Sequence, residues 1–257
     1  MVEVHDTAVV AHSAQLGSGV EIGPYSVVGA NVTIGNGTKI MPHVVIDGQT
    51  TIGADCTIFP FASLGTQTQD LKYKGGVACV EIGDRTTIRE YVTINAATND
   101  GDVTRVGSGC HIMAYAHVAH DCIVGDDVVM ANCATLAGHV IIEDKVIIGG
   151  LCGVHQFVRL GRMSIIGGCS KVTQDVPPYM MADGHPLKVR GINSIGLKRK
   201  GVASAAQNAL KEAYKVLYRR DLSTSQAAKK IRDEVDKVQE IIDLLTFIDA
   251  SERGITK

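Results

Sequence analysis

The chain has 257 residues, enough for one or two domains, and its hydrophobic content of 45% is sufficient for a sizeable core. The N-terminal MVEVHDTAVV has no basic region followed by an apolar stretch, and no apolar run approaches the ~20 residues that cross a bilayer. With a net charge of −2, we expect a cytoplasmic protein that neither inserts stably into membranes nor binds nucleic acid.

Aliphatic residues recur every six positions from Val4 to Val172, and 26 of the 29 positions in this frame hold Val, Ile, Leu or Met. A period of six fits neither an α-helix nor a single alternating strand. It is typical of short strands joined by tight corners and wound as a parallel β-helix. The pattern resembles that of the left-handed parallel β-helices, in which three hexads make one coil of ~18 residues and neighbouring coils stabilise each other.

The repeat also accounts for most of the cysteines. Four of them fall four places after an aliphatic position, where each strand should bury a second, small side chain: Cys56, Cys110, Cys122 and Cys152. We therefore expect buried, reduced thiols there rather than disulfides or metal ligands.

The six-residue frame fails at Asp70, Gly76 and Asp100. We interpret residues 66–79 and 95–105 as two loops that leave the coil. Loops that project from a regular scaffold often carry function, although a tolerated insertion explains the same pattern.

The repeat ends near Tyr179, because Pro177 and Pro178 cannot donate ladder hydrogen bonds and the sheet should stop there. After a connector to about residue 200, two capping-box patterns and an apolar stripe predict helices near 204–220, 223–235 and 237–251; the patterns are Ser204-x-x-Gln207 and Ser223-x-x-Gln226. The predicted fold is therefore mainly β: a left-handed parallel β-helix over residues 1–187 and a small α-helical C-terminal domain over residues 188–257.

Charge is distributed unevenly along the chain. Residues 1–183 hold 10 basic and 18 acidic groups, a net −8, whereas residues 184–220 hold 9 basic groups and one acidic group, a net +8. The basic segment predicts an acidic partner or ligand, with a solvated helix face as the alternative.

Three histidines, His120, His139 and His155, recur at intervals close to the length of one coil. At ~18 residues per coil they should stack on one edge of the prism in successive coils, with His117 and Asp121 beside them. Imidazoles that titrate near neutral pH are suited to proton transfer. His120, oriented by the Asp121 carboxylate, is the candidate general base.

A zinc site is the competing interpretation of this histidine cluster. Zinc needs three protein ligands and an open position, and the gamma-class carbonic anhydrases bind zinc through three histidines on the same fold. Two of those histidines lie on one coil with a wider gap than that between His117 and His120. An inert structural solenoid is a further alternative, but it does not predict protonatable groups on one edge.

Six motifs, far more specific than the hexapeptide repeat, closely resemble the UDP-N-acetylglucosamine O-acyltransferases of lipid A synthesis: QDLKY at 69–73, IGDRTTIRE at 82–90, AHVAHDC at 116–122, LAGH at 136–139, GVHQF at 153–157 and QDVPPY at 174–179. The resemblance extends over the whole chain, including the first loop and the helical tail. It implies transfer of an (R)-3-hydroxyacyl group from acyl carrier protein to the 3-hydroxyl of UDP-N-acetylglucosamine, without a metal or another cofactor.

The resemblance also implies roles for individual residues. His120 is the general base, Asp121 orients it, and the backbone N–H of Gly138 stabilises the oxyanion. The implied substrate-binding residues are Asp70, Lys72, His117, His139, His155 and Gln156, with Asn193 and Arg199 on the uridine diphosphate. Gly168, which has no side chain to block the acyl cleft, is the implied determinant of acyl length.

The resemblance further implies a homotrimer with sites between subunits and docking of the acidic carrier protein near the basic tail. The chain departs from the family at Asn95, where a histidine is frequent, and at Ile195, where a glutamate occurs. N-acylation of a 3-amino analogue of the nucleotide sugar stays open as an alternative. An N-acyltransferase with an additional N-terminal domain is not expected, because the hexads begin at Val4.

Overall fold

The computed structural model describes residues 1–257 and shows a triangular prism built from three parallel sheets. Each coil contributes one short strand to each sheet, and strands pair in register with those of the next coil, as Ile123 does with Ile141 and Ile142 with Leu160. The prediction of a left-handed parallel β-helix followed by helices is confirmed.

The three sheets are called A, B and C in the order in which the chain visits them. Sheet A consists of Glu3–Val4, Glu21–Ile22, Lys39–Ile40, Thr57–Ile58, Thr87–Ile88, His111–Ile112, Val129–Met130, Ile147–Ile148, Ile165–Ile166, Met180–Asp183 and Lys188–Ile192. Sheet B consists of Val9–Val10, Val27–Val28, Val45–Ile46, Ser63–Thr66, Thr93–Asn95, His117–Val118, Thr135–Leu136, Gly153–Val154 and Lys171–Val172. Sheet C consists of Gln15–Leu16, Val32–Ile34, Gln49–Ile52, Cys79–Ile82, Val103–Val106, Ile123–Val124, Ile141–Ile142 and Arg159–Leu160.

The aliphatic positions of the repeat form the core of the prism. From Ile22 to Val172 they are all buried, whereas Val4 in the first coil is 42% exposed because no coil lies beneath it. The four cysteines expected inside are buried, and all seven are free thiols, as predicted. Burial of apolar surface between stacked coils is thus the main stabilisation of this part of the chain.

The corners of the prism use an unusual backbone conformation. Seventeen non-glycine residues have positive φ, most of them at corners. The left-handed region costs an ordinary residue ~1–2 kcal/mol, so the packing of each coil on its neighbours must offset this strain. The three edges of the prism are called AB, BC and CA after the sheets that meet there.

Both predicted loops are present, and both leave the prism at the BC edge. The first connects Ser63–Thr66 to Cys79–Ile82, and the second connects Thr93–Asn95 to Val103–Val106. Each therefore interrupts the passage from sheet B to sheet C, in consecutive coils.

The prediction that the sheet stops at Pro177 and Pro178 was wrong. The chain re-enters sheet A at Met180–Asp183, which pairs parallel with Ile165–Ile166 and antiparallel with Lys188–Ile192. The two prolines occupy the corner before Tyr179, where no ladder hydrogen bond is needed, so their missing N–H groups do not end the sheet.

Four helices follow: α1 (Ser194–Arg199), α2 (Ser204–Tyr218), α3 (Thr224–Glu234) and α4 (Gln239–Asp249). The last three were predicted, and α1 was missed. The Ser223 capping box is confirmed, but Ser204 lies inside its helix, which begins without a side-chain cap. The division at residues 187 and 188 stays a prediction.

Specific polar contacts attach the helices to the last coils. The Tyr179 hydroxyl donates to Asp243 at 2.5 Å, and the pKa of Tyr179 is raised by burial and by this carboxylate. Asp175 is 1% exposed and accepts from the Arg159 N–H at 2.8 Å and from the Ser251 hydroxyl at 2.7 Å. None of the four helices combines the length and apolar character needed to span a bilayer.

Candidate active site

The BC edge carries a column of candidate functional side chains in successive coils. Asp121, His139 and Phe157 occupy its corners one coil apart, with φ values of 60°, 60° and 64°. The His139 and Phe157 rings stack with centroids 4.7 Å apart and planes inclined by 11°. One edge of the prism thus presents a carboxylate, an imidazole and a phenyl ring above one another.

His120 precedes the first of these corners, and its Nδ1 lies 2.7 Å from Asp121 Oδ2. The two side chains are 15% and 8% exposed. A deprotonated Nδ1 at this distance would face the carboxylate lone pair to lone pair, so Nδ1 carries the proton and Nε2 is left as the basic nitrogen. This arrangement can accept a proton from a hydroxyl held at Nε2.

His139, in the next coil, completes the polar cluster. Its ring meets that of His120 edge to face with centroids 5.2 Å apart, and its Nε2 lies 3.6 Å from Asp121 Oδ2. The two histidines thus lie on one edge in successive coils, as expected, and their rings are in contact. Asp121 is shared between both imidazoles, which places negative charge beside any proton that either ring gains.

Gly138 lies directly against the candidate base. A Cβ built on Gly138 would lie 2.3 Å from His120 Cε1 and 2.5 Å from Nε2, so no side chain fits without moving the imidazole. The Gly138 N–H makes no hydrogen bond within the chain. It is thus available to a ligand atom beside the basic nitrogen, as the assignment of an oxyanion donor requires.

His117 lies in sheet B, in the strand that leads to His120. Its Nδ1 is 2.7 Å from Thr93 Oγ1 in the coil below. Burial lowers the pKa of His117, and a positive charge on His120 lowers it further. His117 is therefore suited to donate or accept a hydrogen bond as a neutral ring rather than to hold a charge.

The two loops reach the same cluster. In the first loop, the Asp70 N–H donates to Thr68 Oγ1 at 3.1 Å, and the Lys72 N–H donates to Asp70 Oδ1 at 2.9 Å. Thr98, in the second loop, lies between Thr68 and His120. Thr68 and Thr98 could not be predicted as neighbours of His120, because nothing in the repeat places an inserted loop relative to the coils.

His155 lies at the BC edge in the coil after His139, as expected, but its ring does not stack on that of His139. The ring on His139 belongs to Phe157, while His155 lies two positions before that corner with Nδ1 3.1 Å from the Gln156 carbonyl oxygen. Corners recur once per coil, every ~18 residues, and the interval from His139 to His155 is shorter than one coil. Counting one full coil at a time from the corner residue Asp121 leads to His139 and then to Phe157.

Comparisons with known proteins agree with this geometry. The family model described as Udp N-acetylglucosamine O-acyltransferase, domain 2, matches residues 175–256, and that described as Bacterial transferase hexapeptide (six repeats) matches 31–66 and 104–138. An acyl-[acyl-carrier-protein]--UDP-N-acetylglucosamine O-acyltransferase from Thiobacillus denitrificans is 51% identical over 258 residues and 100% of both chains. The chain belongs to this O-acyltransferase family.

Solved structures support the same assignment. LpxA from Acinetobacter baumannii superposes with a TM-score of 0.96 at 44% identity, over 99% of both chains. LpxA from Bacteroides fragilis, a UDP-N-acetylglucosamine acyltransferase, gives 0.96 at 39% identity, over 99% of this chain and 100% of that one. The family suggested by the six motifs is therefore confirmed.

Two residues expected on the nucleotide lie elsewhere on this O-acyltransferase chain. Asn193 caps α1 through Oδ1, which accepts from the Gly196 N–H at 3.1 Å, and its Nδ2 donates to the Met163 carbonyl at 2.9 Å. Met163 is a corner of the CA edge, whereas His120 and its partners line the BC edge. Arg199 is exposed in the last turn of α1. A single chain thus separates the expected nucleotide residues from the candidate base.

Gly168 precedes the AB corner residue Cys169 (φ 58°). A Cβ at Gly168 would meet only Gly150, whose carbonyl oxygen lies at 3.3 Å and nitrogen at 3.8 Å. Gly150 occupies the equivalent place in the coil below. Neither backbone conformation nor severe crowding therefore requires glycine at position 168, and the surface beside it is smooth over two coils.

Ligand atoms of His120, Asp121 and His139 all lie within 4.8 Å of one another, close enough to share a metal ion. Two imidazoles and a carboxylate form an acceptable zinc donor set. The 2.7 Å contact between His120 and Asp121 satisfies the same atoms without a metal. The geometry is thus compatible with both a hydrogen-bonded base and a metal site.

Proposed function

We propose that the chain transfers an (R)-3-hydroxyacyl group from acyl carrier protein to the 3-hydroxyl of UDP-N-acetylglucosamine, the first step of lipid A biosynthesis. The observation that carries the proposal is the His120–Asp121 contact of 2.7 Å, which leaves Nε2 as a base at the BC edge of the prism. Relatives that match 99–100% of the chain are named acyl-[acyl-carrier-protein]--UDP-N-acetylglucosamine O-acyltransferase, which supports the carrier-bound donor and the nucleotide-sugar acceptor.

In the proposed reaction, His120 Nε2 removes the proton of the sugar 3-hydroxyl as the oxygen attacks the thioester carbonyl. Asp121 stabilises the imidazolium that forms. The Gly138 N–H donates to the carbonyl oxygen as it becomes an oxyanion. Collapse of the tetrahedral intermediate breaks the carbon–sulfur bond, and the imidazolium returns its proton to the departing thiolate of the carrier.

Substrate binding is assigned to the neighbours of this pair. Asp70 and Lys72, on the first loop, contact the sugar nucleotide or the acyl group, and the walls of the cleft are His117, His139, His155 and Gln156. The buried Asp121 and the neutral His117 favour a polar, uncharged acceptor group next to the base.

Assembly as a homotrimer would bring the separated residues together. Asn193 contacts the CA-edge residue Met163 and begins the helix that carries Arg199, and His120 lies on the BC edge, so we infer that a nucleotide held by both sets needs two subunits. The Arg199 guanidinium is suited to phosphate oxygens. The Asn193 side chain is already engaged at α1, so we assign it chiefly to shaping the start of that helix.

The carrier protein is proposed to dock on the basic segment 184–220, with its net charge of +8. Charge attraction of this kind raises association rates and weakens with salt. The absence of a membrane-spanning helix and the use of a carrier-bound donor are compatible with the proposed cytoplasmic location.

The deciding experiment is a product assay with purified protein, UDP-N-acetylglucosamine or its 3-amino analogue, and hydroxyacyl carrier proteins of several chain lengths. Ester formation at the 3-oxygen is the expected outcome. Exclusive amide formation with the 3-amino analogue would replace the proposal by its N-acyl alternative, and no product from either acceptor would contradict both.

A zinc-dependent lyase is the second candidate, supported by the mutual proximity of His120, Asp121 and His139. The proposed transfer needs no metal, so turnover should survive exhaustive chelation. Loss of activity with EDTA and recovery with zinc, together with stoichiometric zinc by elemental analysis, would favour the metal site instead.

A further inference from the structure

The candidate base is held from two sides, and only one side was expected. Asp121 Oδ2 lies 2.7 Å from His120 Nδ1, and Thr98 Oγ1 lies 3.1 Å from the same nitrogen. The Thr98 backbone N–H also donates to Asp121 Oδ1 at 3.3 Å. One residue of the second loop therefore contacts both the imidazole and the carboxylate that orients it.

Proton counting fixes the role of the Thr98 hydroxyl. Nδ1 must carry the proton because it faces the Asp121 carboxylate, so Thr98 Oγ1 can only be a second acceptor of the same N–H, which is shared between the carboxylate oxygen at 2.7 Å and the hydroxyl oxygen at 3.1 Å. Its own proton is left for Thr68 Oγ1, 3.0 Å away. Thr68 and Thr98 are only 5% and 6% exposed, so water competes little for these bonds and the geometry is specific.

The contact with Thr68 extends the network to the first loop. Thr68 Oγ1 accepts from the Asp70 N–H at 3.1 Å, and Asp70 Oδ1 accepts from the Lys72 N–H at 2.9 Å. A continuous series of hydrogen bonds thus runs from the loop that carries the proposed substrate contacts to Nδ1 of the base. Each step uses a hydroxyl or a backbone N–H and moves no charge.

We propose that Thr98 is a positioning residue for the reaction: it fixes the orientation of the His120–Asp121 pair and couples it, through Thr68, to the loop that bears Asp70 and Lys72. The proposal deepens the acyltransferase function and rests on it for its kinetic consequences. Its structural content, the constraint on the His120 ring, does not depend on which substrate is used.

Thr98→Val tests the hydroxyl alone, because valine keeps the β-branched shape and the backbone N–H. We expect kcat to fall about 10- to 100-fold, the range for lost orientation of a reacting group, while the KM for the nucleotide sugar stays within about twofold, since Thr98 acts through the base. Thr98→Ser restores an oxygen and should recover most of kcat.

Thr86→Val is the matched control. The Thr86 hydroxyl is also fully buried, donates to the Gly107 carbonyl at 2.8 Å and accepts from the Cys110 N–H at 3.2 Å, but it lies beside the CA edge. Its loss should lower Tm without changing kcat. A similar loss of kcat in both valine variants, without serine rescue, would reduce Thr98 to a structural role and overturn the proposal.

A substrate-free measurement separates this proposal from the acyltransferase function. The Nδ1–H resonance of His120, assigned by its disappearance in His120→Ala, should exchange with water markedly faster in Thr98→Val than in the wild type, Thr98→Ser or Thr86→Val. An unchanged exchange rate would overturn the proposal even if the enzyme is an acyltransferase. Faster exchange in a protein that makes no ester would leave the positioning role intact and refute only the assigned reaction.

A double-mutant cycle tests the coupling to the first loop. Thr68→Val should lower kcat less than Thr98→Val, and the double variant should be no worse than Thr98→Val alone, because both changes break one series of bonds. Multiplicative losses in the double variant would show that the two hydroxyls act independently and would remove Thr68 from the network.

Discussion

The AB and BC edges of the prism share one backbone conformation at their corners but differ in the side chains that they carry. At the AB edge, Tyr25, His43, Phe61, Tyr91 and Tyr115 form a continuous stack with ring centroids 4.8 to 5.1 Å apart. At the BC edge the corner positions hold Asp121, His139 and Phe157. All eight residues have positive φ, so corner geometry by itself does not make an edge reactive.

The residue before each corner makes the difference. At the AB edge, the residue before the corner is a proline in three of the lower coils: Pro24, Pro42 and Pro60. At the BC edge, the residues in this position are His120, Gly138 and Gln156. Proline stiffens the turn and has no backbone N–H to donate. At the BC edge, by contrast, the His120 ring packs directly against the backbone of Gly138 in the next coil, where no side chain intervenes. Both loops also leave at the BC edge and partly bury the His120–Asp121 pair. The proposed chemistry therefore lies where the repeat is interrupted.

Replacing one histidine at each edge should give the largest difference in kcat between the two edges. His120→Ala should lower kcat by at least about 10²–10⁴-fold, as expected for a lost general base, with the fold retained because His120 lies outside the core. His43→Ala removes a stacked ring between Tyr25 and Phe61 and should leave kcat within about twofold. Steady-state kinetics and Tm measure both. More than half the activity in His120→Ala would refute the assigned base.

Filling the space beside the base should have the next largest effect. In Gly138→Ala the new Cβ would lie 2.3 Å from His120 Cε1, so the ring must move, and we expect a loss in kcat of about 10²–10³-fold. Gly191→Ala is the control, because its Cβ meets nothing within 4 Å. Wild-type kcat in Gly138→Ala would mean that the imidazole position is not critical.

The upper part of the AB edge should sharpen the comparison, because it is proposed to contribute specificity rather than a base. Gly168 lies on a different edge from His120, so we propose that it lines the acyl path of a neighbouring subunit's site in the homotrimer and, without a side chain, leaves that path open. Four extra buried methylenes at ~0.8 kcal/mol each then favour a C14-like donor over C10 by up to about 10²-fold. Gly168→Met should reverse this order. The measurement is kcat/KM for the two donors in both proteins, and an unchanged ratio would exclude Gly168 from acyl selection.

The smallest effect concerns stability and pH. Burial lowers the pKa of His117 in the folded state, so below the unfolded pKa of about 6.5 the unfolded chain binds more protons there. The free energy of unfolding should therefore fall as pH drops below about 6.5, by at most ~1.4 kcal/mol per pH unit from this group. His117→Gln should show a shallower dependence in denaturant titrations at pH 5 to 7. If the free energy of unfolding depended equally on pH in both proteins, His117 would not contribute to the pH dependence of stability.

Periodicity made the scaffold predictable, since aliphatic residues at one spacing can be buried together in only a few ways. The contact of His120 with Asp121 was also predictable, because the two are neighbours in the chain. The helix Ser194–Arg199 was not, because its cap is Asn193, whose side chain was assigned to a ligand. Phe157 was not predicted, because its phenyl ring has no acid–base chemistry and only the corner that recurs once per coil places it beside His139.

The amino-acid sequence by itself determined the β-helix, the buried thiols, the ejection of two loops and the identity of the candidate base, because each follows from residue type and local spacing. Only the tertiary structure decided that both loops leave at the edge of His120, that Thr98 contacts both His120 and Asp121, and that Asn193 faces a different edge. Those relations join residues far apart in the chain, and the conformation of an inserted loop is fixed by the coils it packs on rather than by its own residues.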